Sequence, residues 1–186
     1  MESVVAFFNY TKTFFTVIHV LTVVFGMGAA MVADVLFSFY GKDKKLVSTE
    51  ISTLHILSTL VKYSLVFVVL SGIALFLSDM STYSVSDKFL AKMTILLVII
   101  VNGFFLNTFV WDKLKKRSFF TSTHEKATRR IAFSLGAVSV VSWVFVCALG
   151  VLDSVPFGYP IILSVYGACL FCALAVSLLI EKVELD

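Results

Sequence analysis

Four ionisable side chains stand inside long apolar runs of this chain: His19, Asp34, Lys62 and Lys92. A charge or an imidazole surrounded by hydrocarbon is costly, so each is a functional candidate by default. A histidine can ligate a metal or carry a proton. A carboxylate and an ammonium at one depth can lock two helices as an ion pair or relay an ion, and Asn107 can extend such a polar path. Cys169 and Cys172 stand one helical turn apart and could bind a soft metal. No third ligand lies near them in sequence, and with Cys147 they form no disulfide framework, so packing is the expected role of all three.

The elements that must position these groups are five apolar stretches: Thr13–Tyr40, Ile56–Ser78, Phe89–Trp111, Ile131–Leu152 and Pro160–Ile180. Each is long enough to cross hydrocarbon, which takes about 20 residues. A crossing segment must satisfy its own backbone, so each is expected to be a helix. The 186 residues are 59% hydrophobic and 15% charged, with a mean hydropathy of +0.99. A soluble domain carries more charge. The expected fold is all-α: a five-helix transmembrane bundle forming a single integral membrane domain over residues 1–186.

Basic residues alternate between the connections. Lys42, Lys44 and Lys45 follow the first stretch. Lys113, Lys115, Lys116, Arg117, Lys126, Arg129 and Arg130 follow the third, and Lys182 the fifth. The other side carries Lys12 and Lys88. The positive-inside rule then sets the N-terminus outside and the C-terminus in the cytoplasm. The basic loops read as a topology signal with affinity for anionic lipid, not as a nucleic-acid surface. The expected partner is the lipid bilayer, and the expected location is a bacterial or archaeal plasma membrane. Glu2 and the absence of a basic leading region argue against a cleavable signal. Tyr10, Tyr83 and Tyr159 mark one interface, Tyr40 and Trp111 the other. There is no phosphate-binding glycine loop, no His-Glu-x-x-His and no nucleophile elbow. No lysine in the last stretch could carry a retinal Schiff base, and no channel filter is present.

Helical geometry then groups the candidates. At 100° per residue, His19, Val23, Gly26 and Ala30 share one face of the first helix, with Asp34 about 60° round from it. Lys92, Leu96, Ile99 and Gly103 make a similar stripe on the third, with Asn107 at its edge. At 1.5 Å per residue, His19 lies roughly 10 Å below the outer edge of its span, at about the level of Lys92. Asp34 and Lys62 share the cytoplasmic half, where the simplest expectation is an ion pair between them. His19 could simply pack and bond a neighbour. It also stands above small residues, Gly26 and Ala30, that leave a flat wall, and a porphyrin needs a wall and an axial nitrogen. His55 and His124 fall at the opposite boundary, so neither can be a second ligand. Lys92 and Met93 remain as candidates at that level.

The first-span residues Ile18-His19-Val20-Leu21 and Gly26-Met27-Gly28-Ala29 resemble the opening helix of a group of small bacterial membrane proteins. So does the third-span segment Phe89-Leu90-Ala91-Lys92-Met93-Thr94. The group includes the HemJ-type protoporphyrinogen oxidases and the copper-resistance D-type membrane domains. The resemblance implies a first-helix histidine that ligates haem b and a third-helix lysine beside it, positions that fall on His19 and Lys92. The chain lacks the tryptophan-rich first helix and the histidine beside the lysine of the HemJ-type proteins, so porphyrinogen oxidation is not part of the expectation.

Three functions are therefore carried forward. The first is a haem b protein of redox or electron transfer with a redox partner, its iron on His19 and its macrocycle on Gly26 and Ala30. Lys92 would be the second ligand or the partner of a haem carboxylate. The second is a transporter or permease-type subunit with an Asp34, Lys62 and Asn107 path. The third is a ligand-free scaffold, in which the small residues of the first span make a homo-oligomer face.

Overall fold

A computed structural model of the chain describes residues 7–42, 46–114, 119 and 126–185, with the backbone alone at 42 and 183–185. Lys44, Lys45, Lys115, Lys116, Arg117 and His124 lie outside the described residues. Five helices are long and apolar enough to cross a membrane. They are α1 (Lys12–Lys42), α2 (Ser48–Ser78), α3 (Asp87–Leu114), α4 (Lys126–Val151) and α5 (Tyr159–Leu185). The fold is that of a multi-pass membrane protein.

The helices run past the apolar stretches, by as much as eight residues at the start of α2. Hydropathy marks the hydrocarbon segment, whereas the helix continues wherever the backbone is capped. At α2, Glu50 accepts from the amide of Val47 at 2.9 Å. At α3, the Ser86 hydroxyl accepts from the Phe89 amide at 3.3 Å. Between α2 and α3, Asp79 caps a short helical turn, Met80–Ser84, by accepting from Thr82. Pro160 falls in the first turn of α5, where its missing N–H costs nothing.

Contacts fix the packing. His19 meets Ser71 and Gly26 meets Ser64, so α1 and α2 run antiparallel. Asn102 meets Leu135 and Lys88 meets Leu152, which does the same for α3 and α4. Ser142 meets Tyr166 and Arg130 meets Glu181, pairing α4 with α5. Helix α1 also packs along α4, whereas α2 and α3 stand apart over most of their length. They touch near the two ends, through Lys62 with Asn107 and through the stacked rings of Phe76 and Phe89, 5.3 Å apart.

Three apolar layers fill the bundle. Leu54, Val110, Leu114 and Phe133 form one at the end where the basic loops emerge. Val23, Ala30, Val68, Ile99 and Trp143 form the middle. Ala91, Ile95, Leu149, Ile162 and Tyr166 form the far layer. The outward face is apolar too: Phe25 is 60% exposed and Val35 67%. Such a surface suits lipid rather than water.

Candidate functional site

The gap between α2 and α3 is a cleft of about 530 Å³. Its floor is α1 (Ala30, Ala33, Asp34) and α4 (Ser139, Trp143). Most of its wall is aliphatic, including Val61, Leu65, Val69 and Ile99, and its polar residues are Asp34, Ser58, Lys62, Asn102, Asn107 and Ser139. Val66, Leu70 and Phe104 line it while remaining more than half exposed, so the cleft opens sideways, along the face that would meet lipid.

Two acceptors in this cleft lack a donor. Asp34 Oδ2 and Asn102 Oδ1 are fully buried, and neither has a hydrogen-bond partner. Buried polar atoms are nearly always paired, so each such exception calls for an explanation. Both groups arrive at one turn of α4. The Asn102 amide donates to the Leu135 carbonyl at 3.0 Å. Asp34 Oδ1 occupies the space beside Gly136, 2.9 Å from where a Cβ would sit, so that glycine is what lets the carboxylate in. Three helices thus bring Asp34, Asn102 and Ser139 to the lining of one cleft.

The expected Asp34–Lys62 ion pair does not form. Lys62 Nζ instead donates to Asn107 Oδ1 at 2.8 Å, across the mouth of the cleft. The physical reason lies in α3. Over Leu106–Val110 its backbone opens into a π-helical turn, which inserts an extra residue and re-aims the side chains around it. Asn107 lies in that turn and takes Lys62, while Asp34 Oδ1 sits against Gly136 of α4. Lys62 is exposed, so it lies at the rim, and Asp34 is the deeper group.

At the other end, His19 Nδ1 lies 2.9 Å from Ser71 Oγ. The Ser71 hydroxyl has one proton, and it points at the Phe67 carbonyl at 2.6 Å. With that proton on the carbonyl, the Ser71 oxygen accepts from a His19 Nδ1–H, the tautomer in which Nε2 is an acceptor. The ring lies over Gly72, whose Cβ position would be 3.6 Å from Cε1. A second cavity of about 290 Å³ adjoins it, lined by Val68, Phe76, Phe89, Met93 and Leu96. Lys92 lies in the second turn of α3, one residue from Met93. It is half-buried and outside the lining of that cavity; Met93, its neighbour, faces in.

The flat wall expected of Gly26 and Ala30 is not open. A Cβ on Gly26 would lie 2.7 Å from Trp143 Cη2 and 3.0 Å from Ser64 Cβ. The indole, 1% exposed, fills that face, and Ala30 is buried against it. No macrocycle can lie there. His55 packs on Trp111 with ring centroids 5.1 Å apart, far from His19. Cys169 and Cys172 are exposed, and no group of three His, Cys, Asp or Glu is gathered among the described residues.

Asn102, Gly136, Ser139 and Ser71 were not singled out in the sequence. Asn102 carried a signal, a lone amide in the middle of an apolar run. Gly136 carried none, because its value depends on which residue faces it. Comparison with known proteins gives no matching family model, no matching curated protein and no matching solved structure. The likeness to HemJ-type and copper-resistance D-type proteins rests on the first-span and third-span residues alone.

Proposed function

We propose that the chain is a permease-type membrane protein whose cleft between α2 and α3 binds a small solute. Its N-terminus is outside, and the end with the basic loops is in the cytoplasm, as the distribution of lysine and arginine favours. The carrying observation is the pair of buried, unpartnered acceptors, Asp34 Oδ2 and Asn102 Oδ1, carried by residues that line a cleft of about 530 Å³. A cavity of this size with a few convergent polar groups suits a small molecule. A protein that leaves acceptors dry forfeits stability, and a ligand that donates to them restores it. The Lys62–Asn107 bond closes the cytoplasmic side of the cleft, and the π-helical turn beneath it supplies the slack for opening.

The test is flux. Proteoliposomes of the wild type and of Asp34→Asn are offered labelled amines, labelled zwitterions and fluorescent short-chain phospholipids. At least one is expected to cross in the wild type and to be blocked in the variant. Flux equal in the two proteins, or none above empty liposomes, rejects the permease reading.

The haem reading keeps one specific support: Ser71 holds His19 in the tautomer with Nε2 as an acceptor, as an axial ligand requires. The donor fits, but the wall at Gly26 and Ala30 does not. His19 and Met93 would have to hold the group on the α2–α3 side. Bound there, haem would supply one-electron chemistry. A reduced-minus-oxidised spectrum of protein made with ample haem decides it. Bands lost in His19→Ala support it, and a colourless wild type ends it.

A further inference from the structure

The cleft also shows what kind of solute it fits, an argument that rests on the permease reading above. Asp34 and Lys62 both line it, yet they are not paired with each other. A lone cation at Asp34 would meet the Lys62 ammonium across the same cleft, and a lone anion at Lys62 would meet the carboxylate. In a low dielectric either mismatch is heavily penalised. A zwitterion satisfies both. Its ammonium would pair with the Asp34 carboxylate, and as the cleft opens it would reach Oδ2 and Asn102 Oδ1, which are buried without donors in the closed wall. Its acidic group would take the remaining N–H donors of Lys62, of which Asn107 uses one.

Two further observations concern the rest of the molecule. The remaining wall is aliphatic and opens between Val66, Leu70 and Phe104 towards lipid, so the solute needs an apolar body and can enter sideways. The polar groups also lie in the half of the bundle nearer the basic loops. Asp34 is about 12 Å from the end of α1 and Asn107 about 10 Å from the end of α3, at 1.5 Å per residue. A headgroup dipping from that interface can reach them.

We propose that the cleft takes a zwitterionic amphiphile with a primary ammonium, an aminophospholipid or its single-chain form, entering laterally from the bilayer between α2 and α3. The acceptors require N–H donors, so a quaternary ammonium of equal charge should be refused. A site built to hydrogen-bond an N–H group rejects the analogue that lacks it.

Lysophosphatidylethanolamine, lysophosphatidylcholine, lysophosphatidylglycerol and free leucine are titrated onto the intact protein in maltoside detergent, with binding followed by native mass spectrometry. The ethanolamine lipid is expected to bind saturably, one per chain, and about tenfold or more tighter than the other two lipids. In Asp34→Asn that preference should disappear. The wild-type ranking needs no variant, so it stands even if Asp34→Asn folds poorly. Equal binding of the ethanolamine and choline lipids overturns the proposal, as does a preference that survives in folded Asp34→Asn. Leucine competing as well as the lipid overturns the lipid source and keeps the zwitterion site. Flux that depends on Asp34 without ethanolamine-lipid binding sinks the solute class and leaves the permease reading standing. Selective binding without flux does the reverse.

Discussion

Gly26→Ala should destabilise the bundle, whereas Gly28→Ala, two residues away on the same helix, should not. A methyl at Gly26 would lie 2.7 Å from Trp143 Cη2, 3.0 Å from Ser64 Cβ and 3.2 Å from Trp143 Cζ2. Carbon atoms prefer about 3.5–4.0 Å, so something must move by most of an ångström. The indole is 1% exposed and cannot swing away. Overpacking of this kind costs about 1–3 kcal/mol. Alanine is favoured over glycine within a helix by about 0.5–1 kcal/mol. Gly28 has nothing within 4 Å of its Cβ position, so Gly28→Ala shows the helix gain alone. In the difference between the variants that gain cancels, leaving about 1–3 kcal/mol. Unfolding in dodecyl sulfate and maltoside mixtures, followed by circular dichroism, measures it. Trp143→Phe removes the crowding atoms, so Gly26→Ala should be milder in that background, with a coupling of about 0.5–3 kcal/mol. Equal stability of Gly26→Ala and Gly28→Ala would refute the reasoning. The indole would then not be seated on α1, and the flat wall for a porphyrin would be open after all.

Other expectations follow from single contacts. Asp34→Leu, close in shape, should raise stability by about 1–3 kcal/mol by removing an orphaned acceptor while abolishing solute binding. A stability loss together with intact binding would contradict the site. The Ser142 hydroxyl donates to the Val138 carbonyl, so Tyr166 donates to Ser142, at 2.7 Å. Ser142→Ala leaves the tyrosine O–H buried and unpaired, so in thermal unfolding it should cost more than Tyr166→Phe. Outside the spans, donors from Thr82 and Ser81 hold the Asp79 carboxyl below the usual carboxylate range. A depressed value stabilises the Met80–Ser84 turn above that range and loses its effect as pH falls through it. The protection factor of the Thr82 amide, taken relative to intrinsic exchange at each pH, should fall on acidification in the wild type and stay level in Asp79→Asn.

The five helices were legible because hydropathy and length decide them almost unaided. The level of each polar residue was legible too, since helix rise converts residue number into depth. That arithmetic put Asp34 with Lys62, and His19 with Lys92. Partner choice was not legible, because it depends on rotation about the helix axis and on the order of helices round the bundle. Periodicity showed that Gly26 and Ala30 share a face, but not that Trp143 of α4 would cover it. Nor could spacing reveal the π-helical turn that hands Asn107 to Lys62. Asn107 nevertheless lines the cleft with Ile99 and Gly103, where the stripe counted at 100° per residue had put it.

The choice of partner at Lys62 has a chemical consequence. A direct contact between Lys62 and the carboxylate of Asp34, which lines the same cleft, was the alternative. The pair would then have neutralised itself and closed the cleft with a structural bridge. Instead the π-helical turn satisfies Lys62 with a neutral acceptor, and Gly136 makes room for Asp34 on α4. Each charge is held in place without cancelling the other. A fold that needed only a bridge between α1 and α2 could have one at lower cost, since an unpartnered buried acceptor forfeits about 1–3 kcal/mol. The separation of the two charges therefore adds to the unpartnered acceptors in favouring the proposed ligand site over polar groups that only join helices.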